Sequence, residues 1–403
     1  MTQAYRYVEG EYKSGSFEFI PPYPAGSMSS TASDMANFMI AHLGNGIYKD
    51  QRILNKDTAE FMHTQYFTHH EQLDGMALGF IEKTINDQQT LFHNGSTFLF
   101  SSGLYLLPEY NTGIFLAYSG GSVLLQAEIV QDFMDKIFPV ESSFSPVPTE
   151  EQIQRAKAYT GEYHTNRKNI SSTGRILSLL QPLQVKVDNE GYLAVSTMGK
   201  TSRFAEIEPG VYQILSTDKG QNPYGAFNKI VFDNKTYQQT LLMSDGPMTY
   251  SKAPWYASSK FTIGAIIFVI VFFLLSLAFW SIRWIIRIVR MQKMERHLLN
   301  ITAKTAAVIF ISLNLVFLLG FLMMNELDPV YGVPLTYVGV VPEWSSILDI
   351  LPVFMIVTGI IMLTSNILLW FKKYWHIAEK IHFTIFTLSG GLLLWVFKFW
   401  NII

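Results

Sequence analysis

Four long apolar segments in the last third of the chain constrain its fold more than any other feature. Each is about 20 residues long or slightly longer, which is the length that a helix needs to cross the roughly 30 Å hydrocarbon core of a bilayer. They cover residues 261–280, 305–324, 347–371 and 381–400. A helix satisfies its own backbone hydrogen bonds in lipid. We therefore predict an α-helical transmembrane region of about four helices over residues 260–403.

The basic residues beside these segments predict their orientation, because Arg and Lys near span ends concentrate on the cytoplasmic side. The middle connection carries Glu326, Asp328 and Glu343 and no basic residue, whereas the first and third connections are basic. The basic positions are Arg283, Arg287, Arg290, Lys293, Arg296, Lys372, Lys373 and Lys380. This pattern predicts a multi-pass cell-membrane protein whose soluble domains lie on the extracytoplasmic side. Contact with lipid headgroups is the simplest role for the basic ends.

The composition argues against several classes of function. The formal net charge is -2, so the chain has no overall positive field that would attract nucleic acid. It contains no cysteine, which excludes disulfides, thiolate nucleophiles and cysteine-bound metals. The spans hold Asn314 and Asn366 but no Asp, Glu or Arg near their middles, which makes transport a weak hypothesis. We interpret Gly390 and Gly391 in the last span as a helix contact.

The first 140 residues predict helices packed on an antiparallel sheet. Residues 30–34, S-T-A-S-D, precede apolar residues at helical spacing and are a typical helix start. Asn55 is predicted to cap a second helix that turns Ala59, Phe61 and Met62 toward a core. The predicted helices cover residues 30–43, 55–66 and 123–138. The predicted strands cover residues 79–83, 90–93, 101–107 and 113–118, with Asn-Asp, Asn-Gly and Pro-Glu-Tyr-Asn turns between them.

The middle of the chain predicts a linker and then a second, smaller domain. Residues 141–158 are interpreted as the linker, since residues 142–148 are rich in Ser and Pro and lack periodicity. Residues 159–255 read as a small all-β domain of short strands and turns. Its predicted strands cover residues 183–187, 192–196, 211–215, 230–232 and 239–243, with turns at 188–191 and 233–234. Nothing in this domain clusters as a metal site or as a nucleophile with its base.

Two motifs in the first 140 residues resemble a family of enzymes. The run from Pro24 to Met35, P-A-G-S-M-S-S-T-A-S-D-M, resembles the P-A-G-G-L-x-S-T-A-x-D-L segment of the class C β-lactamase-like serine hydrolases, which include penicillin-binding protein homologues. Residues 91–97, L-F-H-N-G-S-T, look like the K-T-G strand of that family in its H-x-G form. The resemblance implies that residues 1–140 are the C-terminal part of an α+β, β-lactamase-like domain. The β domain and membrane helices look like the tail of some Gram-positive members.

This resemblance implies a catalytic strand without a complete catalytic site. His93, Asn94, Gly95 and Ser96 would form that strand, with His93 as a hydrogen-bond donor or proton carrier and the Ser96 N–H as the oxyanion donor. The family's S-x-x-K and Y-x-N motifs do not occur in residues 1–140. Residues 1–30 also lack the basic stretch and apolar run of a signal peptide. We therefore expect that the chain is a fragment that lacks its N-terminal part and the nucleophile, and that it is inactive alone.

The histidines allow alternative interpretations. His93 could lie in a hairpin in which Asn94 and Gly95 form an ordinary turn. His69 and His70, with His63 nearby, could hold a metal, but no carboxylate at ligand spacing accompanies them, and a solvated loop is preferred. We predict neither a metal nor a cofactor.

Two functions fit these features. The first is a membrane-anchored serine hydrolase of the β-lactamase and penicillin-binding type, which in its complete form would hydrolyse amides or esters such as D-alanyl peptides or β-lactams. The second is a non-catalytic, membrane-bound sensor or binding protein that holds cell-wall fragments on a hydrolase scaffold. Both predict a cell-wall peptide or β-lactam-like small molecule and membrane lipid as partners, and neither involves nucleic acid.

Overall fold

The computed structural model divides the chain into two units, each with its own apolar core. The first unit comprises residues 1–168, 180–253 and 329–332, and the second comprises residues 169–179, 254–328 and 333–403. The structure describes residues 2–18, 23–120, 123–140, 144–179, 182–197, 199–221, 228–233, 239–243, 248–291, 297–373 and 375–403.

The N-terminal part of the first unit combines short helices with antiparallel strands. Its elements are β1 (Tyr5–Val8), β2 (Glu11–Ser14), α1 (Tyr23–Gly26), α2 (Ala32–Leu43), β3 (Ile47–Tyr48), β4 (Gln51–Arg52), α3 (Lys56–His63), β5 (Ile81–Ile85), β6 (Gln88–Ser96), β7 (Phe100–Leu107), β8 (Thr112–Ser119) and α4 (Val123–Ile137). Strands β5, β6, β7 and β8 form one antiparallel sheet in that order. The three helices and four strands predicted here are confirmed, with shifted ends.

Helices cover both faces of this sheet. Successive strand residues point to opposite faces, so Leu104 and Leu106 pack with Met39 of α2, whereas Tyr105 and Leu107 pack with Met134 of α4. Burial of each such side chain contributes about 1.5–3 kcal/mol. Alternation of this kind is what the sequence pattern of β7 predicts.

Two details of α3 differ from the prediction. Asn55 stands at the helix start but its side chain makes no capping hydrogen bond. Ala59 is fully buried, whereas Phe61 remains 53% exposed. Residues two apart lie on nearly opposite sides of a helix, so Ala59 and Phe61 cannot both face one core.

The remainder of the first unit is a closed eight-stranded antiparallel barrel. Its strands are β9 (Gly161–Thr165), β10 (Leu183–Val187), β11 (Leu193–Thr197), β12 (Lys200–Glu208), β13 (Val211–Ile214), β14 (Lys229–Asp233), β15 (Thr240–Met243) and β16 (Thr249–Lys252). Strand β16 closes the barrel by pairing with β9, for example at Tyr250 and Thr165. The five predicted strands are confirmed, but β9, β12 and β16 were not predicted. Barrel closure depends on pairing between distant residues, which no local pattern displays.

Part of the predicted linker forms a helix, α5 (Glu150–Ala158). Thr149 and Gln152 form a reciprocal capping box at its start. Ala156 and the following Tyr159 enter the barrel core. The helix is mostly polar and short, so its stability comes from this packing rather than from a pattern visible in the sequence.

The second unit contains the four helices predicted from the apolar segments. They are α6 (Ser259–Val289), α7 (Leu298–Met324), α8 (Ser346–Trp370) and α9 (Ile377–Phe399). All four are long and apolar enough to span a membrane. Gly390 lets α9 approach the Phe310 ring of α7, as predicted, whereas a Cβ at Gly391 would meet nothing within 4 Å. The predicted packing role therefore belongs to Gly390 and not to Gly391.

Some sequence predictions lie outside the described residues. They concern the first part of the linker at residues 141–143, the turn residue Asn234, and the basic residues Lys293 and Arg296 between α6 and α7.

Candidate functional site

Strand β6 continues past its neighbour β5 by four residues, here called the β6 extension (His93, Asn94, Gly95 and Ser96). On one side these residues pair with β7. On the other side, the ladder to β5 ends at Phe92. All four residues are exposed. A strand end of this kind offers backbone N–H and C=O groups to an extended ligand.

Asn94 and Gly95 do not form a turn, contrary to the turn predicted between β6 and β7. They lie within β6, where Asn94 pairs with Gly103 and Gly95 pairs with Ser102. The chain reverses later, where Phe100 N donates to Thr97 Oγ1 at 3.1 Å. An Asn-Gly pair favours a hairpin only where the flanking residues can pair across it, and here the ladder partners are residues 101–104.

Behind the β6 extension, α4 comes unusually close to β7. A Cβ at Gly103 would lie 1.8 Å from Gln126 Nε2, so a larger residue here would force the Gln126 side chain to move. Gln126 is 4% exposed, and its Nε2 donates to the Tyr105 hydroxyl at 2.9 Å. This buried contact fixes β7, and through it the β6 extension. The sequence analysis missed it, although a glycine inside a strand pattern is a signal for close approach.

Two of the three serine hydroxyls beside this strand end donate to backbone carbonyl oxygens. Ser96 Oγ donates to Thr97 O at 3.1 Å, and Ser102 Oγ donates to Gly95 O at 3.4 Å. Ser101 Oγ is buried and has no hydrogen-bond partner among the described residues. None of these three hydroxyls is bonded to a histidine or lysine, so the site as described has no activated nucleophile. The structure therefore shows an exposed strand end that begins at His93.

The other motif of the resemblance starts a helix. Thr31 Oγ1 accepts a hydrogen bond from Asp34 N at 3.1 Å and donates to Asp34 Oδ2 at 2.7 Å. This arrangement caps α2 and places a carboxylate at its positive end. The S-T-A-x-D run is thus explained by local structure, since it caps α2.

A pair of histidines that the sequence analysis did not predict lies beneath α2 and α3. His42 Nδ1 and His63 Nε2 are 3.0 Å apart, and both rings contact Phe80. Burial lowers the pKa of both imidazoles, and the charge of His63 lowers the pKa of His42 further. The structure thus pairs His63 with His42. Among the described residues, no group of three or more His, Asp or Glu is arranged to hold a metal.

A polar cavity of about 260 Å³ lies elsewhere in the first unit. Asp74, Thr84 and Asn86 line one side, and Asn228 and Lys229 line the other. Asn228 Nδ2 donates to Thr84 O at 3.1 Å across it. The residues of the β6 extension are not part of its wall.

Comparison with known proteins gives a family for the N-terminal part. A protein-family model described as Beta-lactamase matches residues 2–124. A search of the curated proteins found no match.

Among solved structures, the chain is similar to SurE with D-Leu at 16% identity and a TM-score of 0.34, covering 55% of this chain and 50% of that one. It is similar to SurE at 15% identity and a TM-score of 0.36, covering 62% of this chain and 55% of that one. It is also similar to the octameric penicillin-binding protein homologue from Pyrococcus abyssi at 17% identity and a TM-score of 0.27, covering 62% of this chain and 53% of that one. The chain thus spans about half the length of each of these structures. At these TM-scores the similarity carries no argument about function.

The two motifs, the four-stranded sheet that contains the second of them, and the family match agree for this part of the chain. Residues 2–124 match the Beta-lactamase family model, and the same chain continues into a closed barrel and four apolar helices.

Proposed function

We propose that this chain is the scaffold of a membrane-anchored serine hydrolase of the β-lactamase and penicillin-binding type, with the β6 extension as its substrate-binding edge. The observation that carries the proposal is the β6 extension itself. It is an exposed strand end with the L-F-H-N-G-S-T sequence, inside the segment that matches the family. The substrate would be a D-alanyl peptide, a β-lactam or a related amide or ester.

The backbone of the β6 extension suits such a substrate. A peptide or β-lactam amide can align with the free edge as an added strand and form backbone hydrogen bonds, while neighbouring side chains provide specificity. By resemblance to the family, His93 would donate a hydrogen bond or carry a proton, and the Ser96 N–H would stabilise the oxyanion. The rigid support from Gly103 and Gln126 keeps this edge in one geometry.

In this proposal the serine that becomes acylated comes from a polypeptide segment other than residues 1–140. Those residues contain no S-x-x-K, and the Ser96 and Ser102 hydroxyls beside the β6 extension donate to carbonyl oxygens. The isolated chain should therefore bind substrate without turning it over.

Covalent labelling tests the enzymatic part of the proposal. The full in-frame product of the gene, including any sequence upstream of Met1, is incubated with a fluorescent penicillin and separated under denaturing conditions. We expect the full product to carry the label and the present chain not to. Steady hydrolysis of a chromogenic β-lactam by the present chain, abolished by His93→Ala, would show that the chain holds its own nucleophile and would overturn the proposal.

Equilibrium binding tests the role of the β6 extension directly. The detergent-solubilised chain is titrated with a fluorescent peptide that ends in D-alanyl-D-alanine. We expect His93→Ala to weaken binding, whereas Gln89→Ala, on the part of β6 that pairs with β5, should leave it unchanged. Equal effects of the two substitutions would mean that the peptide binds elsewhere.

A second function, that of a non-catalytic sensor of cell-wall fragments, is supported by the serine contacts. A binding edge whose serine hydroxyls are bonded to carbonyl oxygens and not to a base can hold a peptide without being acylated. Peptide binding by a full product that does not react with penicillin would favour this function over the hydrolase.

A further inference from the structure

Four charged side chains from three helices lie together at one end of the second unit. Arg283 and Arg287 come from α6, Lys304 from α7 and Glu379 from α9. Arg283 Nη1 donates to a Glu379 carboxylate oxygen at 2.8 Å. Lys304 interacts electrostatically with the other three. We call this group the interfacial charge cluster.

The interfacial charge cluster lies inside the ends of its helices. Helix α6 ends at Val289 and α7 begins at Leu298, so at 1.5 Å per residue Arg283 and Lys304 each lie about 9 Å inside their helix end. The Lys304 ammonium stands 5.6 Å from the centre of the Trp375 ring. Tryptophan beside cationic side chains at this depth is typical of the headgroup region of a bilayer.

The charges of the cluster do not balance. It contains three cations and one carboxylate, and that carboxylate is already bound to Arg283. Within the described part of the chain, neither Arg287 nor Lys304 has an ion pair. Cations held close together repel one another unless an anion joins them. The cluster is therefore two negative charges short of neutrality.

We propose that the interfacial charge cluster is a binding site for the phosphate headgroup of an anionic phospholipid, with phosphatidylglycerol as the simplest such lipid. Arginine and lysine donors suit a phosphodiester, which supplies the missing negative charge. The exposed Ile282, Ile285 and Ile286 of α6 provide an apolar surface for its acyl chains. A zwitterionic lipid brings its own cation and leaves the imbalance in place.

Lipid binding to the full chain tests this site. The purified protein in a nonionic detergent is titrated with phosphatidylglycerol and, separately, with phosphatidylcholine, and bound lipid is counted by native mass spectrometry. We expect a clear preference for phosphatidylglycerol in the wild type. The double variant R287Q/K304Q should bind it about 30-fold more weakly, from the loss of two interfacial charges.

A matched control distinguishes a specific lipid-binding site from an effect of general surface charge. The double variant K372Q/K373Q removes the same charge from exposed positions just after α8, and it should retain binding. The double variant R287K/K304R keeps the charge and should also retain binding, and an unchanged melting temperature of R287Q/K304Q would show that its loss of binding is not misfolding. Equal weakening in both glutamine variants, or equal binding of the two lipids, would overturn the proposal. Displacement of the lipid by millimolar inorganic phosphate would identify a free-anion site instead.

Discussion

Two adjacent glycines in α9 face different surroundings. A Cβ at Gly390 would approach Phe310 Cε1 to 3.0 Å, whereas Gly391 has open space. The Phe310 ring is fully buried and also contacts Phe273, so it has little room to move. We expect Gly390→Ala to destabilise the second unit by about 1–3 kcal/mol. Gly391→Ala should have no effect or stabilise slightly, since Ala is the better helix former. Equal melting temperatures of the two variants in detergent would contradict this expectation.

The histidine pair makes the stability of the first unit depend on pH. Burial lowers the pKa of His42 and His63 in the folded state, so below about pH 6.5 the unfolded chain binds protons that the folded pair does not. The stability that depends on the neutral histidine pair is therefore fully present above about pH 6.5 and is lost as the pH falls toward 5. We expect His63→Gln to reduce this loss, measured as the difference in melting temperature between pH 7.5 and 5.5. A variant with the slope of the wild type would show that other groups cause it.

At the residue scale, the sequence predicted local features better than spatial pairs. The predicted capping signal at residues 30–34 is confirmed, with Thr31 as the cap of α2, because a cap involves only neighbouring residues. The contacts of Gly103 with Gln126 and of His42 with His63 join distant parts of the chain, so no spacing rule reveals them. The placement of His93 on β6 followed from the resemblance, while its catalytic role stays a prediction.

An ion pair with the barrel contributes more to holding helix α5 in place than the helix's own sequence does. Arg155 Nε donates to both Glu206 carboxylate oxygens, at 3.1 and 3.0 Å, and Nη2 adds a bond of 2.8 Å. The Glu206 side chain is only 2% exposed. Removal of Arg155 would leave this carboxylate buried and without its cation.

We therefore expect Arg155→Ala to lower the melting temperature and to increase hydrogen exchange over residues 150–158. Arg155→Lys should have a smaller effect, because it keeps the charge but loses the bidentate geometry. Lys56→Ala breaks a pair whose side chains are both at least half exposed, and it should change neither quantity. Unchanged exchange in Arg155→Ala would mean that packing of Ala156 and Tyr159 is sufficient to hold α5.

At the element scale, predictions were confirmed where the hydrophobic periodicity was clear or the apolar segment was long. The four apolar helices and the strands β6, β7 and β10 have clear patterns. Strand β12 and helix α5 carry mixed polar residues and owe their structure to the barrel around them. The exposed Phe61 shows the same limit, since an apolar residue in a short helix does not indicate which face is covered.

For the whole molecule, the distribution of basic residues predicts on which side of the membrane each part of the chain lies. The chain contains no native cysteine, so single introduced cysteines report their side without background. We expect a membrane-impermeant maleimide to label Lys186→Cys on β10 and Val340→Cys between α7 and α8 in intact cells. Lys372→Cys, after α8, should react only after the membrane is permeabilised. The reverse pattern would place the barrel in the cytoplasm.

The closure of the barrel has a consequence for biosynthesis. Strand β9 must wait for its partner β16, the last strand to be made, so the barrel keeps two open edges until residue 252 has left the ribosome. Only residues 253–258 then separate β16 from the start of α6. The last barrel strand and the first apolar helix are therefore synthesised almost together. Pausing of translation just after α6 would give the barrel time to close before the remaining helices follow.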